Sequence, residues 1–301
     1  MRLIHLTDPH LTSLDESPPW QLAGKRWLGY LSWRRKRRFV HLNEMLEDLL
    51  DAVHRECPDQ IAVTGDLIHI GLPQEIAVAS KWLTRVGSPQ QVMLVPGNHD
   101  LYAAESWPLA RQQWGPYLQQ DDDRSDASIE DCFPISRAIG NVQLIGLSSA
   151  CPTPPLMASG RLGSGQLRRL ARQIKSAREQ ARFCCLLIHH PPLPGQLNWR
   201  KGLSDAPALK RVLQAQPVDL ILHGHGHHNS HASLDQIRVY GTASASSISA
   251  AAPACYRRFD IQKDAGHWRV EMSLIAPAQP GKDRGERVLQ QENWFSGCGT
   301  E

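Results

Sequence analysis

Long apolar runs are missing from this sequence. The uncharged stretches 139–160 and 239–256 are filled with Ser, Pro, Gly and Ala, whereas a bilayer span needs about 20 mostly apolar residues. A cysteine framework is missing too. Cys57, Cys132, Cys151, Cys184, Cys185, Cys255 and Cys298 are odd in number and none stands at CxxC spacing, which argues against a disulfide scaffold or a thiolate zinc site in a chain of 301 residues. Cys184 and Cys185 lie in an apolar run and read as small core residues. The opening MRLIHLTDPH is too short for a secretory leader, so a soluble, cytoplasmic protein is expected. Aromatics make up only 6%, yet three of the nine Trp crowd into positions 20–33. The same region lacks acid. Residues 17–43 hold Lys25, Arg26, Arg34, Arg35, Lys36, Arg37 and Arg38 with no Asp or Glu, which leaves the rest of the chain at −4 against a total of +3. Basicity is therefore local, and nucleic acid is not the expected partner.

What is present is a series of short runs rich in Ile, Val and Leu. They are RLIHLTD at 2–8, QIAVTGD at 60–66, QVMLVPGNHD at 91–100, then NVQLIGLSS, FCCLLIHHPP, VDLILHGHGH, IRVYGTAS, YRRFDIQ and WRVEMSLI. Helical patterns lie between the early ones: Met45, Leu46, Leu49, Leu50 and Val53 share one face, residues 73–86 and 205–215 look helical, and Ser164 can cap the run Leu167, Leu170, Ile174. RAIGNVQL offers a Gly-Asn hairpin. Alternation followed by strands predicts an α/β protein with one large mixed sheet or two packed sheets. The expected domain covers residues 1–276, with a basic aromatic insertion at 17–40 and an exposed acidic insertion at 103–132. Residues 277–301 read as a polar tail that Trp294 and Phe295 could anchor.

Polar residues sit where these runs end: Asp8 and His10, Asp66, Asn98 and His99, His189, then His225 and His227. The carboxyl ends of strands form the ligand crevice of an open α/β sheet, so these side chains would converge on one site. Carboxylates, an amide oxygen and imidazoles suit Mn, Fe, Zn or Co, and there are too many for one ion. Two metals about 3.5–4 Å apart would activate a water and clamp an in-line displacement at phosphorus.

The series DPH (8–10), GD (65–66), GNHD (97–100), HH (189–190) and GHGH (224–227) resembles the five-block signature of the calcineurin-like metallophosphoesterase superfamily, in that family's order. The resemblance implies a four-layer αββα sandwich of two mixed sheets flanked by helices, with a dinuclear centre at the sheet edge. It implies that Asp8, His10 and His227 bind one divalent metal, that Asn98, His189 and His225 bind the other, and that Asp66 bridges them, with Mn or Fe favoured. His99 would assist at the phosphate, stabilising the transition state or protonating the leaving oxygen. His190 is the alternative to His189. His223, His228 and His231 are either second-sphere or exposed, with exposure favoured for the last two.

The implied reaction is metal-hydroxide attack on a phosphodiester or pyrophosphate. Ser/Thr protein phosphatases resemble the chain less, reading GNHE for GNHD and carrying Asp where His69 stands, whereas class III cyclic-nucleotide phosphodiesterases share GNHD and HHPP. Membrane-associated lipid A pathway pyrophosphohydrolases, which cleave UDP-2,3-diacylglucosamine, are a second likeness, although the commonest carry GNRD. For that reading, residues 20–38 would contact an anionic membrane peripherally, with indoles at headgroup level and cations adding about 1 kcal/mol each. The same segment could instead pack on the core, or grip phosphate as nucleases of this superfamily do. A non-catalytic metal-binding scaffold is the competing class; none of the expected ligand positions is degenerate.

Overall fold

The structure is a computed structural model that describes residues 1–11, 14–15, 17–118, 129–264, 266–277 and 286–297. The first half alternates: β1 (Arg2–Leu6), α1 (Lys25–Arg35), α2 (Asn43–Arg55), β2 (Gln60–Val63), α3 (Pro73–Val86), β3 (Val92–Leu94), α4 (Ser106–Trp114), α5 (Ile129–Cys132), β4 (Ile135–Ile139) and β5 (Val142–Gly146). There follow α6 (Gly163–Glu179), β6 (Phe183–Leu187), α7 (Ala206–Ala215), β7 (Leu220–His223), β8 (Ser230–Leu234), β9 (Ile237–Gly241), β10 (Ile248–Ser249), β11 (Ala252–Pro253), β12 (Tyr256–Asp264), β13 (His267–Ala276) and β14 (Arg287–Gly297).

Two six-stranded mixed sheets result, ordered β14-β13-β12-β1-β2-β3 and β4-β5-β6-β7-β9-β8. Strands β1, β2 and β3 run parallel, as do β5, β6, β7 and β9. The reason is visible in β6. Phe183, Cys185 and Leu187 enter the large core shared by both sheets, while Cys184 and Leu186 face the second cluster, beneath α6 and α7. A strand apolar on both faces needs cover on both. The outer helices supply it with one stripe each: Leu46, Leu49, Leu50 and Val53 on α2, and Leu167, Leu170 and Ile174 on α6, are buried. The mixed α/β architecture expected from the sequence is thus present, two sheets with flanking helices, and Gly140-Asn141 turns the β4–β5 hairpin with Ile139 opposite Val142. Among the described residues no helix is long and apolar enough to cross a membrane.

Three local expectations are corrected. Ser164 does not cap α6; the Asp205 carboxylate, from another loop, accepts the Leu162 and Gly163 amides at 3.0 and 2.8 Å. The insertion 103–132 is not exposed throughout, because Trp107, Ala110 and Trp114 form a helical stripe on α4 that is buried against α3, with the Trp114 indole donating to the Ile76 carbonyl at 3.1 Å. Its acidic run at 119–128 lies outside the described residues. The stretch 277–301 is not simply a tail: β14 pairs antiparallel with β13 as the sheet's edge strand. Alternation there was hidden because its inward residues are mostly polar, Glu292 accepting from the Tyr240 hydroxyl at 2.6 Å and Ser296 donating to Asp219 at 2.5 Å. Trp294 packs over Tyr240, but Phe295 is 69% exposed. Residues 278–285 and 298–301 of that stretch are outside the described ones.

Candidate metal centre

The loops leaving β1, β2, β3, β6 and β7 meet at one edge between the sheets. Their backbone is unusual. Asp8, His10, Asp66, His225 and His227 all have positive φ, between 45° and 65°, a left-handed conformation that costs non-glycine residues and clusters at functional sites. The glycines between them are required by space. A Cβ on Gly97 would collide with the Asp66 carboxylate and amide, and one on Gly224 would collide with Thr7 and Asp8. Asp100 staples two of the loops together: its oxygens accept the amides of Asp66, Leu67 and Gly97, each at 2.8 Å. Burial, with the Asp66 charge beside it, pushes the Asp100 carboxyl up. Glu75 at the start of α3 likewise accepts the amides of His69, Ile70 and Leu72 at 2.8–3.1 Å.

Two sets of ligand atoms converge within 4.8 Å of one another: Asp8, His10, Asp66 and His227, and Asp66, His189 and His225. Asp66 belongs to both. Its Oδ2 lies 3.4 Å from His189 Nε2 and 4.0 Å from His10 Nε2, while its Oδ1 accepts the His99 amide at 2.7 Å. Asn98 joins the second set, with Oδ1 3.2 Å from His189 Nε2. In the first set His227 Nε2 is 3.1 Å from Asp8 Oδ1 and 3.2 Å from His10 Nε2. His190 faces elsewhere, its two ring nitrogens meeting Ser149 Oγ at 2.8 Å and the Ala158 carbonyl at 3.1 Å. His223 is buried, whereas His228 and His231 are exposed.

The donor set fits metal ions. Among the described residues His225 Nε2 is buried with no hydrogen-bond partner, and Asp8 Oδ1 has only the His227 ring beside it at 3.1 Å, a deficit that costs stability unless something fills it. His189 Nδ1 donates to the Thr64 carbonyl at 2.6 Å and His10 Nδ1 to the Ile68 carbonyl at 3.3 Å. Each bond fixes the tautomer that leaves Nε2 as a free lone pair facing the cluster, the usual support of a metal-ligating imidazole. Burial pushes His10 and His225 well below the ordinary histidine value, keeping them neutral. His189 differs: burial would lower it, but Asp66 and then Asp8 raise it to about 9. The carboxylates draw positive charge to this point, a demand that a divalent cation would meet in place of the proton.

Two residues of the basic segment stand at the site: His41, which sequence reasoning did not single out, and Arg37, which it read only as one of a run of cations that could grip phosphate. The His41 ring lies 4.6 Å from that of His10 and shares a potential ligand set with His10 and His227. Arg37 reaches His99, with Nη1 3.3 Å from Nδ1. Neither follows a strand, so the strand-end pattern could not flag them. The segment itself divides. Trp33 and Leu22 are buried in a small cluster with Leu14, Ile70 and Leu72, while Trp20, Trp27, Leu28 and Phe39 are exposed beside Arg34, Arg35 and Lys36.

A family model described as calcineurin-like phosphoesterase matches residues 1–229. The cAMP/cGMP dual specificity phosphodiesterase of Mycobacterium tuberculosis (strain CDC 1551 / Oshkosh) is 27% identical over 277 residues, covering 89% of this chain and 71% of that protein. The glycerophosphodiester phosphodiesterase GpdQ of Enterobacter lignolyticus (strain SCF1) is 27% identical over 199 residues, covering 64% of this chain and 58% of that protein. Among solved structures, a dimetal phosphatase from Danio rerio superposes with a TM-score of 0.60 over 97% of this chain and 98% of its own, at 12% identity. Purple acid phosphatase PPD1 from yellow lupin gives 0.53 over 90% of this chain and 51% of its own, also at 12% identity. Both structural likenesses concern the fold alone.

Proposed function

Because the chain belongs to the calcineurin-like phosphoesterase family, we propose that it is a metal-dependent hydrolase of phosphodiesters that works with two divalent cations, Mn or Fe in preference to Zn or Co. The observation that carries this reading is the single Asp66 oxygen facing both histidine sets. Asp8, His10 and His227 would hold one cation, Asn98, His189 and His225 the other, and Asp66 both. When bound, such a pair supplies a water of lowered pKa and a positive clamp on phosphoryl oxygens.

The remaining work falls to side chains around the pair. His99 Nδ1 donates to the His69 carbonyl at 2.5 Å, which leaves Nε2 as the ring nitrogen that would take up the proton released by the attacking water and hand it to the departing ester oxygen. Tyr102 stacks on the same ring at 5.7 Å and holds its plane. A diester is favoured over a monoester by the names of the two relatives above, since the fold alone does not choose a substrate. The test uses Mn-loaded protein with bis(p-nitrophenyl) phosphate beside p-nitrophenyl phosphate. Turnover of the diester that chelation abolishes, and that Asp66→Ala and Asn98→Ala lose while remaining folded, is the expected result. Full activity in Asp66→Ala would overturn it.

A second reading places the enzyme peripherally on an anionic bilayer, within reach of a lipid-linked pyrophosphate. It is favoured by the exposure of Trp20, Trp27, Leu28 and Phe39 in the same segment as the exposed Arg34, Arg35 and Lys36. Co-sedimentation with phosphatidylserine vesicles that is lost in a Trp20→Ser/Trp27→Ser/Phe39→Ser variant supports it. No binding by the unaltered protein at physiological salt removes it.

A further inference from the structure

Most cations of the basic segment face water or pair on the surface, as Arg26 does with Glu105 at 2.9 Å and Arg38 with Asp15 at 3.8 Å. Arg37 does not. It turns inward to His99, and among the described residues no carboxylate lies within 4.0 Å of its guanidinium. The contact with His99 cannot satisfy it, because Nδ1 already gives its proton to the His69 carbonyl, so that two N–H donors face each other. A guanidinium has five donors in a planar fork, and among the described residues the only polar side-chain contact this one makes is with the His99 ring. Asp8 and Asp66 attract it from a distance, but two divalent cations outweigh two carboxylates. In the loaded site Arg37 would stand beside net positive charge, and only an anion between them relieves that repulsion.

The position is built rather than accidental. α1 approaches so closely that a Cβ on Gly29 would lie 2.6 Å from Ile70 Cγ2 and 2.7 Å from the Tyr102 hydroxyl. Arg26 donates to the Ile70 and Gly71 carbonyls at 3.2 and 3.0 Å, the Tyr102 hydroxyl donates to the Lys25 carbonyl at 3.1 Å, and Trp33 is 3% exposed. The helix is thus fastened to the loop after β2 and to the ring that stacks on His99, and it delivers Arg37 two residues beyond its end. We propose that Arg37 is a catalytic residue of the phosphodiesterase reaction, gripping the phosphoryl oxygens of the substrate from the side opposite the cations by paired, charge-assisted hydrogen bonds. This rests on the metal-dependent reading of the site, and it makes the basic segment part of the active-site wall.

Binding of inorganic phosphate to the Mn-loaded protein, measured by calorimetry, separates the two claims. Arg37→Met is expected to weaken phosphate binding on the order of 10- to 100-fold and to raise KM for bis(p-nitrophenyl) phosphate more than it lowers kcat. Manganese content and melting temperature should stay at the unaltered values. Arg37→Lys, which keeps the charge and loses the fork, should fall between. Phosphate affinity in Arg37→Met within twofold of the unaltered protein overturns the proposal, and so does a parallel loss of bound manganese, which would make Arg37 a support of the metal centre. Phosphate binding that depends on Arg37 in a protein that hydrolyses no diester would keep the grip and discard the diesterase reading.

Discussion

At the strand ends, Asp8, His10, Asp66 and His189 are almost completely buried, four of the five loops carry positive-φ or close-packed glycine positions, and each imidazole that faces the cluster from β6 or β1 is oriented by a backbone carbonyl. In the basic segment 17–43 the aromatic and basic residues are split between protein and water: Trp33 inward and Trp27 outward, Arg37 inward and Arg34 to Lys36 outward. A metal centre of the kind proposed tolerates little displacement of its ligands, and the side chains that would hold it stand on loops whose ends are held by parallel strands. A helix laid over such a centre needs only one face fixed, and its other face is free for a second task.

The sharpest way to break this comparison is to remove the shared carboxylate. Asp66→Ala, or chelation of the intact protein, is expected to lower diester turnover on the order of 10³-fold or more, with circular dichroism showing a retained fold. Trp33→Ala should come next, because it empties the small cluster that seats α1. A loss of about 3–5 kcal/mol is expected in denaturant unfolding, accompanied by weaker phosphate binding as Arg37 loses its anchor. Asp100→Ala leaves three buried amides without an acceptor. It should cost about 1–3 kcal/mol and weaken manganese binding about 10- to 100-fold in metal titrations, and an unchanged metal affinity would mean that the loops hold their places without the staple. Trp27→Ala marks the small end: stability should stay within about 0.5 kcal/mol, and any effect should appear only in vesicle co-sedimentation. Equal destabilisation by Trp27→Ala and Trp33→Ala would erase the two-faced description of α1.

Much of the centre was legible because of where its polar residues fall along the chain. Each of Asp8, Asp66, Asn98, His189 and His225 follows within a few residues of an apolar run that becomes one of the parallel strands, and parallel strands carry their ends to one edge. The choice of His189 over His190 rested on likeness, and only the direction of the two rings separates them, one toward Asp66 and the other into Ser149. Trp107, Ala110 and Trp114 were obscured by the polar residues around them, and β14 by carrying Glu292 and Ser296 on its inner face, where acceptors and donors from the other sheet meet them. His41 had no local signature, and nothing in the sequence set Arg37 apart from the six other cations of its segment.

The sequence by itself determined the α/β class, the strand-end loops and the kinds of donor they carry, while leaving one large sheet or two open, because strand formation, turn formation and donor chemistry depend on residue type and spacing within a few positions. Tertiary structure alone decided which aromatics of the basic segment are core, how Asp66 comes to face both histidine sets, and that Arg37 enters the site. Those outcomes depend on which surface a helix meets, and Gly29, Ile70 and Tyr102, far apart in the chain, settle that by allowing one close approach.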